Sequence, residues 1–454
     1  MSKPTHTVSV DRHEGAAADA GAPHLVILLQ ADRPLVGSSR HLLDGIDLVR
    51  LGRARGDRRR VERHDRELTI GAPDARVSNH HARLARLHGR WSLIDDGSKN
   101  GTLLNGARVE RAVLGDGDLV EVGHTFLRFA ERGGTAGPAD LEAAELEPPA
   151  ALATWSASLA AGFGALRAVA PSAAPVLLLG PTGTGKEIAA RALHELSRRR
   201  GALVAVNCAA IPPELVDSEL FGHRRGSFSG AIEDRSGHFR AADGGTLYLD
   251  EVSELGPRAQ AALLRALQEL EVVPVGESRP VRVDARVVAA TNGELGEGRL
   301  RSDLLARLAG WKLRLPPLAE RREDLGLLIG TLLRRHDARG GASFTAGAAR
   351  ALLTYEWPAN VRELEQALRS ALALAAGRPI ELRDLPVEVA GTSVAMGAAT
   401  ALSAADASLR DELAGQLAAA HGNVSEVARA MGKGRMQIHR WLRRFGLDLR
   451  RFRK

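Results

Sequence analysis

Val176-Leu177-Leu178-Leu179-Gly180-Pro181-Thr182-Gly183-Thr184-Gly185-Lys186-Glu187 decides the fold of this 454-residue chain. The four apolar residues read as a buried strand, and Glu187–Arg200 read as a helix. Gly-x4-Gly-Lys directly between a strand and a helix is the context in which a loop cradles phosphates. Its glycines let backbone N–H groups converge, the helix start adds its dipole, and Lys186 supplies a mobile cation. ATP is the expected ligand, with Mg²⁺. The usual Ser/Thr after the lysine is Glu187 here, so Asp250 and water must do more to hold the metal.

Downstream, the apolar strand Leu247-Tyr248-Leu249 ends on Asp250-Glu251. Asp250 is expected to hold Mg²⁺ and Glu251 to polarise the attacking water. Strands at Leu203–Asn207, Thr246–Leu249 and Arg286–Ala290, around a helix near Arg258–Leu270, predict a mostly parallel sheet with helices on both faces. Residues 320–385 read as a small helical lid. Between the two chemical motifs lies Gly226-Ser227-Phe228-Ser229-Gly230-Ala231, which hydrolysis does not need. Such an insertion points to mechanical work on a partner.

Working outward, the length suggests about three domains. One cysteine, Cys208, excludes an internal disulfide framework and fits a reducing compartment. Asp11, Arg12, His13 and Glu14 precede any apolar run, so the start is not a secretory signal. Residues 149–166 are small or apolar, but Arg167 behind them favours a soluble helix over a membrane span. The expected location is cytoplasmic. Two stretches read as linkers, 132–150 and 389–407. The first piece, 24–131, has short strands and turn dipeptides at Asn100-Gly101 and Asn105-Gly106, predicting an all-β sandwich. Its basic run Arg58-Arg59-Arg60, with Arg63 and Arg66, reads as a solvated loop inside an insertion from Ala54 to Glu67. Net charge is +7, and nine Lys or Arg fall between Lys433 and Lys454 against Asp448 alone. That basic helical end is a candidate for phosphate-backbone contact.

Residues 151–388, with the lid from about 318, resemble the AAA+ domain of bacterial enhancer-binding proteins, the activators of sigma-54 RNA polymerase. The resemblance implies roles in order along the chain. Asn207, in Val206-Asn207-Cys208-Ala209-Ala210, would orient the catalytic Glu251. Thr291 and Asn292 would be sensor I. Arg301 and Arg307 would reach a neighbour's nucleotide, which implies a homo-oligomeric ring, typically a hexamer. Arg362, in Trp357-Pro358-Ala359-Asn360-Val361-Arg362, would face the phosphates. Gly226–Ala231 resembles the sigma-contacting loop, with Phe228 as its apolar tip and Ser227 and Ser229 as departures from the usual Ala and Thr.

The first piece resembles the forkhead-associated (FHA) sandwich through Gly52-Arg53, Ser78-Asn79-His80-His81 and Ser98-Lys99-Asn100-Gly101-Thr102. That family binds phosphothreonine, which implies Arg53 as cation, Ser78 as hydroxyl donor, and Asn79, Lys99 and Asn100 as ligand contacts, with His81 bracing the loops. Residues 408–454 resemble a Fis-type helix-turn-helix. Ile438, Leu442 and Phe445 are expected inward, and Trp441 stands where a basic residue is common. Arg435, Gln437, His439 and Arg440 would face the major groove, with Arg443 and Arg444 toward phosphates.

The reading is a multidomain protein: an all-β FHA-like sandwich, an α/β AAA+ P-loop ATPase with an α-helical lid, and a C-terminal helix-turn-helix. Its expected function is ATP-driven activation of sigma-54 RNA polymerase from upstream enhancer DNA, regulated by a phosphothreonine-containing protein or kinase, with no membrane partner. Two alternatives stay open, a DNA-binding phospho-signalling module and an AAA+ remodeller with another client.

Overall fold

Alternating apolar positions build the N-terminal sandwich. Its strands are β1 (Ala22–Gln30), β2 (Ser39–Leu42), β3 (Leu48–Arg53), β4 (Arg60–His64), β5 (Glu67–Ala72), β6 (Ala82–Leu87), β7 (Arg90–Asp95), β8 (Thr102–Leu104), β9 (Ala107–Val109), β10 (Arg111–Val113), β11 (Leu119–Val122), β12 (Thr125–Gly134) and β13 (Asp140–Glu142). They form two sheets, ordered β13-β2-β1-β12-β11-β8-β9 and β10-β7-β6-β3-β5-β4. Leu25, Ile27, Val49, Leu68, Leu84, Leu93 and Phe129 fill the space between them. The computed structural model describes residues 21–134, 138–146, 149–228, 230–292, 299–337, 340–391, 412–418, 420, 422–434, 437–438 and 441–442.

Two expectations fail in this domain, for one reason. The basic run is not a solvated loop: Arg60–His64 is β4, hairpinned against β5. The segment expected to be a linker from 132 to 150 is not free chain either, because β12 runs to Gly134 and β13 pairs with β2. Arg59 donates to Glu142 at 2.9 Å and to Ser39 Oγ at 2.6 Å. Arg63 donates to Asp140, which also bonds His41 Nδ1 at 2.7 Å. Two like-looking polar stretches, one basic and one acidic, neutralise each other across 77 residues of sequence.

The central domain opens with α1 (Ala157–Val169), then runs β14 (Val176–Leu179), α2 (Lys186–Ser197), β15 (Leu203–Asn207), α3 (Val216–Phe221), α4 (Gly237–Ala241), β16 (Thr246–Asp250), α5 (Pro257–Glu269), β17 (Glu271–Val272), β18 (Val281–Arg282), β19 (Arg286–Thr291), α6 (Ser302–Leu308) and β20 (Trp311–Arg314). The sheet order is β15-β16-β19-β14-β20, all parallel. Parallel strands covered on both faces must be apolar throughout, as Val176–Leu178 and Val287–Ala290 are. The strand ends that carry Gly180, Asp250 and Asn292 therefore share one edge, where open α/β sheets bind ligands.

The lid comprises α7 (Leu325–His336), α8 (Ala346–Thr354) and α9 (Asn360–Ala375). At the C-terminal end residues 412–418 are helical, and Asn423 caps α10 (Val424–Ala430) by accepting from Ser425 N and Glu426 N. Leu413, Leu417, Val427, Ile438, Trp441 and Leu442 pack together. Trp441 is thus a core residue, which explains why a basic side chain is missing there. No described helix is long and apolar enough to cross a membrane.

Candidate nucleotide site and partner loop

The phosphate loop leaves β14 and is gripped from outside by the lid. Arg321 donates to Thr184 O at 2.7 Å, Asn360 Nδ2 to Thr182 O at 3.0 Å, and Val361 N to Gly183 O at 3.0 Å. Gly183 is required there: its φ is +79°, and a Cβ would lie 2.3 Å from Ala359 O. Asn360 itself has φ +60° and accepts from Leu318 N at 2.7 Å, so its carboxamide ties the loop to the lid's entrance. Arg321 and Asn360 were not singled out from sequence. The signal for Asn360 is its type, since asparagine tolerates the left-handed region better than most residues.

Lys186 is buried and donates to Gly180 O at 2.8 Å, to Pro181 O at 3.4 Å and to Asn292 Oδ1 at 3.4 Å. Burial lowers its pKa, against the pull of Asp250 and Glu251. Thr182 Oγ1 also donates to Asn292 Oδ1, at 2.9 Å. Asn292 is also near enough to Glu251 to lower its pKa, as Lys186 does, but burial prevails and raises it. Glu251 holds φ +50°, an uncommon backbone for this residue type. Asn292 thereby links the phosphate loop to the carboxylate expected to activate water. Asp250 lies beside it, its Oδ1 accepting from Glu251 N at 3.1 Å.

Three expected residues adjoin this cluster but turn their side chains to other partners. Asn207 ends β15 in register with Asp250, but its Oδ1 caps the following turn by accepting from Ala209 N at 3.0 Å. Glu187 turns outward to Arg191, four residues on, at 3.2 Å. Thr291 keeps its hydroxyl on Ser253 Oγ at 3.0 Å. Arg362, exposed at the start of α9, is close enough to lower the Lys186 pKa by its charge. Arg301 lies just before α6 and Arg307 within its last turn, both exposed. Arg301 pairs with Asp303 at 2.7 Å, and Arg307 donates to Leu267 O at 3.2 Å.

In the partner loop, Gly226 N bonds Ala231 O at 2.8 Å and Ala231 N bonds Phe228 O at 3.1 Å, closing a tight turn. Phe228 is half-buried, edge-on to His223 with ring centroids 5.0 Å apart. His223 is fixed by Ser218 Oγ at 2.6 Å. The exposed apolar side chain beside the turn is instead Ile232, at 81%. Ser229 lies outside the described residues.

In the sandwich, Arg53 is held by Val77 O at 2.7 Å and Ala75 O at 3.0 Å, and Asn100 Nδ2 donates to Arg76 O at 2.6 Å. Ser78 Oγ accepts from Lys99 N at 3.1 Å. Arg53, Asn79, Lys99 and Asn100 are all exposed along this rim. His81 is buried: Nδ1 accepts from Ser78 N and Nε2 faces Gly101 O, a bracing role. At the C-terminal end Gln437 is exposed. Arg435, His439, Arg440, Arg443, Arg444 and Phe445 lie outside the described residues.

Comparison with known proteins identifies the sandwich and the ATPase with its lid. Residues 152–314 match the sigma-54 interaction domain, 319–401 the AAA+ ATPase lid domain, and 49–123 the FHA domain. The transcriptional regulatory protein ZraR of Escherichia coli K12 is 43% identical over 272 residues, covering 58% of this chain and 62% of that protein. The nitric oxide reductase transcription regulator NorR2 of Cupriavidus necator is 44% identical over 313 residues, 62% of this chain and 60% of that one. The chain thus spans under two thirds of these relatives' length. Among solved structures, NtrX from Brucella abortus in complex with ADP aligns with TM-score 0.50 and 30% identity, over 67% of this chain and 70% of that one. By its central residues the chain belongs to the sigma-54 interaction class of AAA+ ATPases, here joined to an FHA domain.

Proposed function

We propose that the chain hydrolyses MgATP and uses the cycle to remodel a sigma-54 RNA polymerase complex. The observation that carries this reading is the convergence of Lys186, Asp250, Glu251 and Asn292 on one sheet edge under the lid's grip. Lys186, now on carbonyl oxygens of its own loop, would exchange them for phosphate oxygens. Asp250 would hold the substrate's Mg²⁺. Glu251, its proton affinity raised by burial, would orient and deprotonate water, and Asn292 would report the state of the phosphates to it. Exposed Arg301 and Arg307 suit delivery to a neighbour in a ring.

The output is the Phe228 turn. Its seat on His223 supports a loop that is stored between strokes and released by movement transmitted from the nucleotide edge. The rim of Arg53, Ser78, Asn79, Lys99 and Asn100 supports phosphothreonine reading, since it offers a fixed cation and short donors. The basic C-terminal helices would hold upstream DNA, and such a chain works in the cytoplasm. An AAA+ remodeller with a different client is favoured by one observation, that Ile232 rather than Phe228 is the exposed apolar side chain.

The test is binding to purified sigma-54 in ADP plus a metal fluoride, comparing wild type, Phe228→Ala and Ile232→Ser. A complex that needs Phe228 supports the reading. No complex from a protein that hydrolyses ATP moves the client elsewhere.

A further inference from the structure

An antiparallel sandwich ordinarily wets one face of each sheet, giving apolar–polar alternation. β1 breaks that pattern: Leu25-Val26-Ile27-Leu28-Leu29 is apolar throughout and every member is at most 2% exposed. Leu25 and Ile27 face the sandwich interior. Val26, Leu28 and Leu29 enter a different core with Leu325, Ile329, Leu333, Leu352 and Trp357 of the lid. A register shift between Ile27 and Leu29 brings two consecutive leucines to the lid side.

The contact is built on the lid side too. Gly326 of α7 lies against the strand backbone so closely that a Cβ would sit 1.7 Å from Leu28 O. Glu121 of β11, almost fully buried, receives Arg350 of α8 through bonds of 2.8 to 2.9 Å to both carboxylate oxygens. Trp155 Nε1 donates to Ser38 Oγ at 2.7 Å, tying in the entrance of the central domain.

One hydrogen-bonded path, through backbone and the Asp74 carboxylate, joins this contact to the phosphate rim. Phe344 N of the lid donates to Ala31 O at 2.7 Å, and Ala31 N to His124 O at 2.8 Å. His124 N donates to Asp74 Oδ2 at 2.5 Å, while Asp74 Oδ1 accepts from Arg76 N at 2.8 Å. Arg53 and Asn100 hold the carbonyls of residues 75–77, the next atoms along. Asp74 is buried and anchors the rim loop rather than touching ligand. The same lid grips Thr182, Gly183 and Thr184 through Asn360, Val361 and Arg321.

We propose that the outer face of the sandwich is a docking surface for this chain's own lid, through which occupancy of the phosphothreonine rim and of the phosphate loop are thermodynamically linked. This rests on the reading of the rim as a phosphothreonine pocket. Linkage of binding sites is reciprocal, so either ligand can be titrated against the other.

The full-length protein is titrated with N-acetyl-phosphothreonine methylamide, its dephospho form as control, and a fluorescent ADP. The expected result is that saturating phospho-probe changes ADP affinity by roughly fivefold or more. Gly326→Leu, or Arg350→Gln should the leucine prevent folding, keeps both ligands and loses that change. Equal ADP affinity with and without bound phospho-probe overturns the linkage, and an undiminished effect in a folded undocked variant overturns the docking route. If the phospho-probe binds no better than its dephospho form, or equally to Arg53→Ala, the pocket reading itself fails and the linkage falls with it.

Discussion

Replacing Asn360 by alanine isolates the latch between lid and phosphate loop. The carboxamide accepts from the buried Leu318 N and donates to Thr182 O. Leaving a buried donor unmet costs about 1–3 kcal/mol, and the lost bond to Thr182 adds about 1 kcal/mol more. Alanine at φ +60° adds a further ~1 kcal/mol of backbone strain. The sum is about 3–5 kcal/mol against lid docking. Asn360→Gly loses the same bonds without that strain, and should be about 1 kcal/mol less damaged than alanine. Urea unfolding gives the stability change, and hydrogen exchange over 360–375 places it in the lid. Fluorescent-ADP affinity should fall in the same order. A change for alanine within about 0.5 kcal/mol of wild type, or glycine no better than alanine, would refute the argument.

Arg307→Ala should leave ADP affinity nearly intact while turnover falls by about 10³-fold or more, because an arginine supplied in trans acts on the transition state. Turnover unchanged at high protein concentration would remove Arg307 from that role. Glu251 must be ionised to accept a proton, and its pKa is raised, mainly by burial. In the free protein ionised Glu251 should therefore cost stability as the pH rises through a value above the ordinary 4.5; a stability profile that Glu251→Gln leaves unaltered contradicts this assignment. Burial opposes ionisation of Asp140, but His41 and Arg63 prevail and hold its pKa down to about 2. That group contributes stability above its ordinary 3.8 and loses it as the pH falls toward about 2. Asp140→Asn should flatten this part of the acid-unfolding profile, and hydrogen exchange of β13 should rise; an unaltered profile argues against the pairing.

Local chemistry was legible wherever it is written in consecutive residues. A strand, a glycine loop, a lysine and a helix in succession fix the phosphate cradle, because each piece dictates its neighbour's geometry. The rim loops of the sandwich were legible for the same reason. At Asn207 and Glu187 a motif position states which residue is present, while the side chain's direction depends on its competitors. Asn207 caps its own turn and Glu187 pairs with Arg191.

The segments 54–67 and 132–150 were misread because charge composition predicts solvation until an opposite charge arrives from elsewhere. Trp441 was read against a family pattern, but its burial with Leu413 and Val427 explains it. By itself the sequence determined the strand–loop–helix order of the phosphate loop, the carboxylate pair at a strand end, and the fold classes of a sandwich, an ATPase and a helical end, since these follow from periodicity and short-range spacing. Only the tertiary structure decided that the lid, through Asn360 and Arg321, closes the phosphate loop, and that the sandwich rests on that same lid. Those contacts join residues more than 100 positions apart, and the apolar run of β1 announced a second buried face without naming what would cover it.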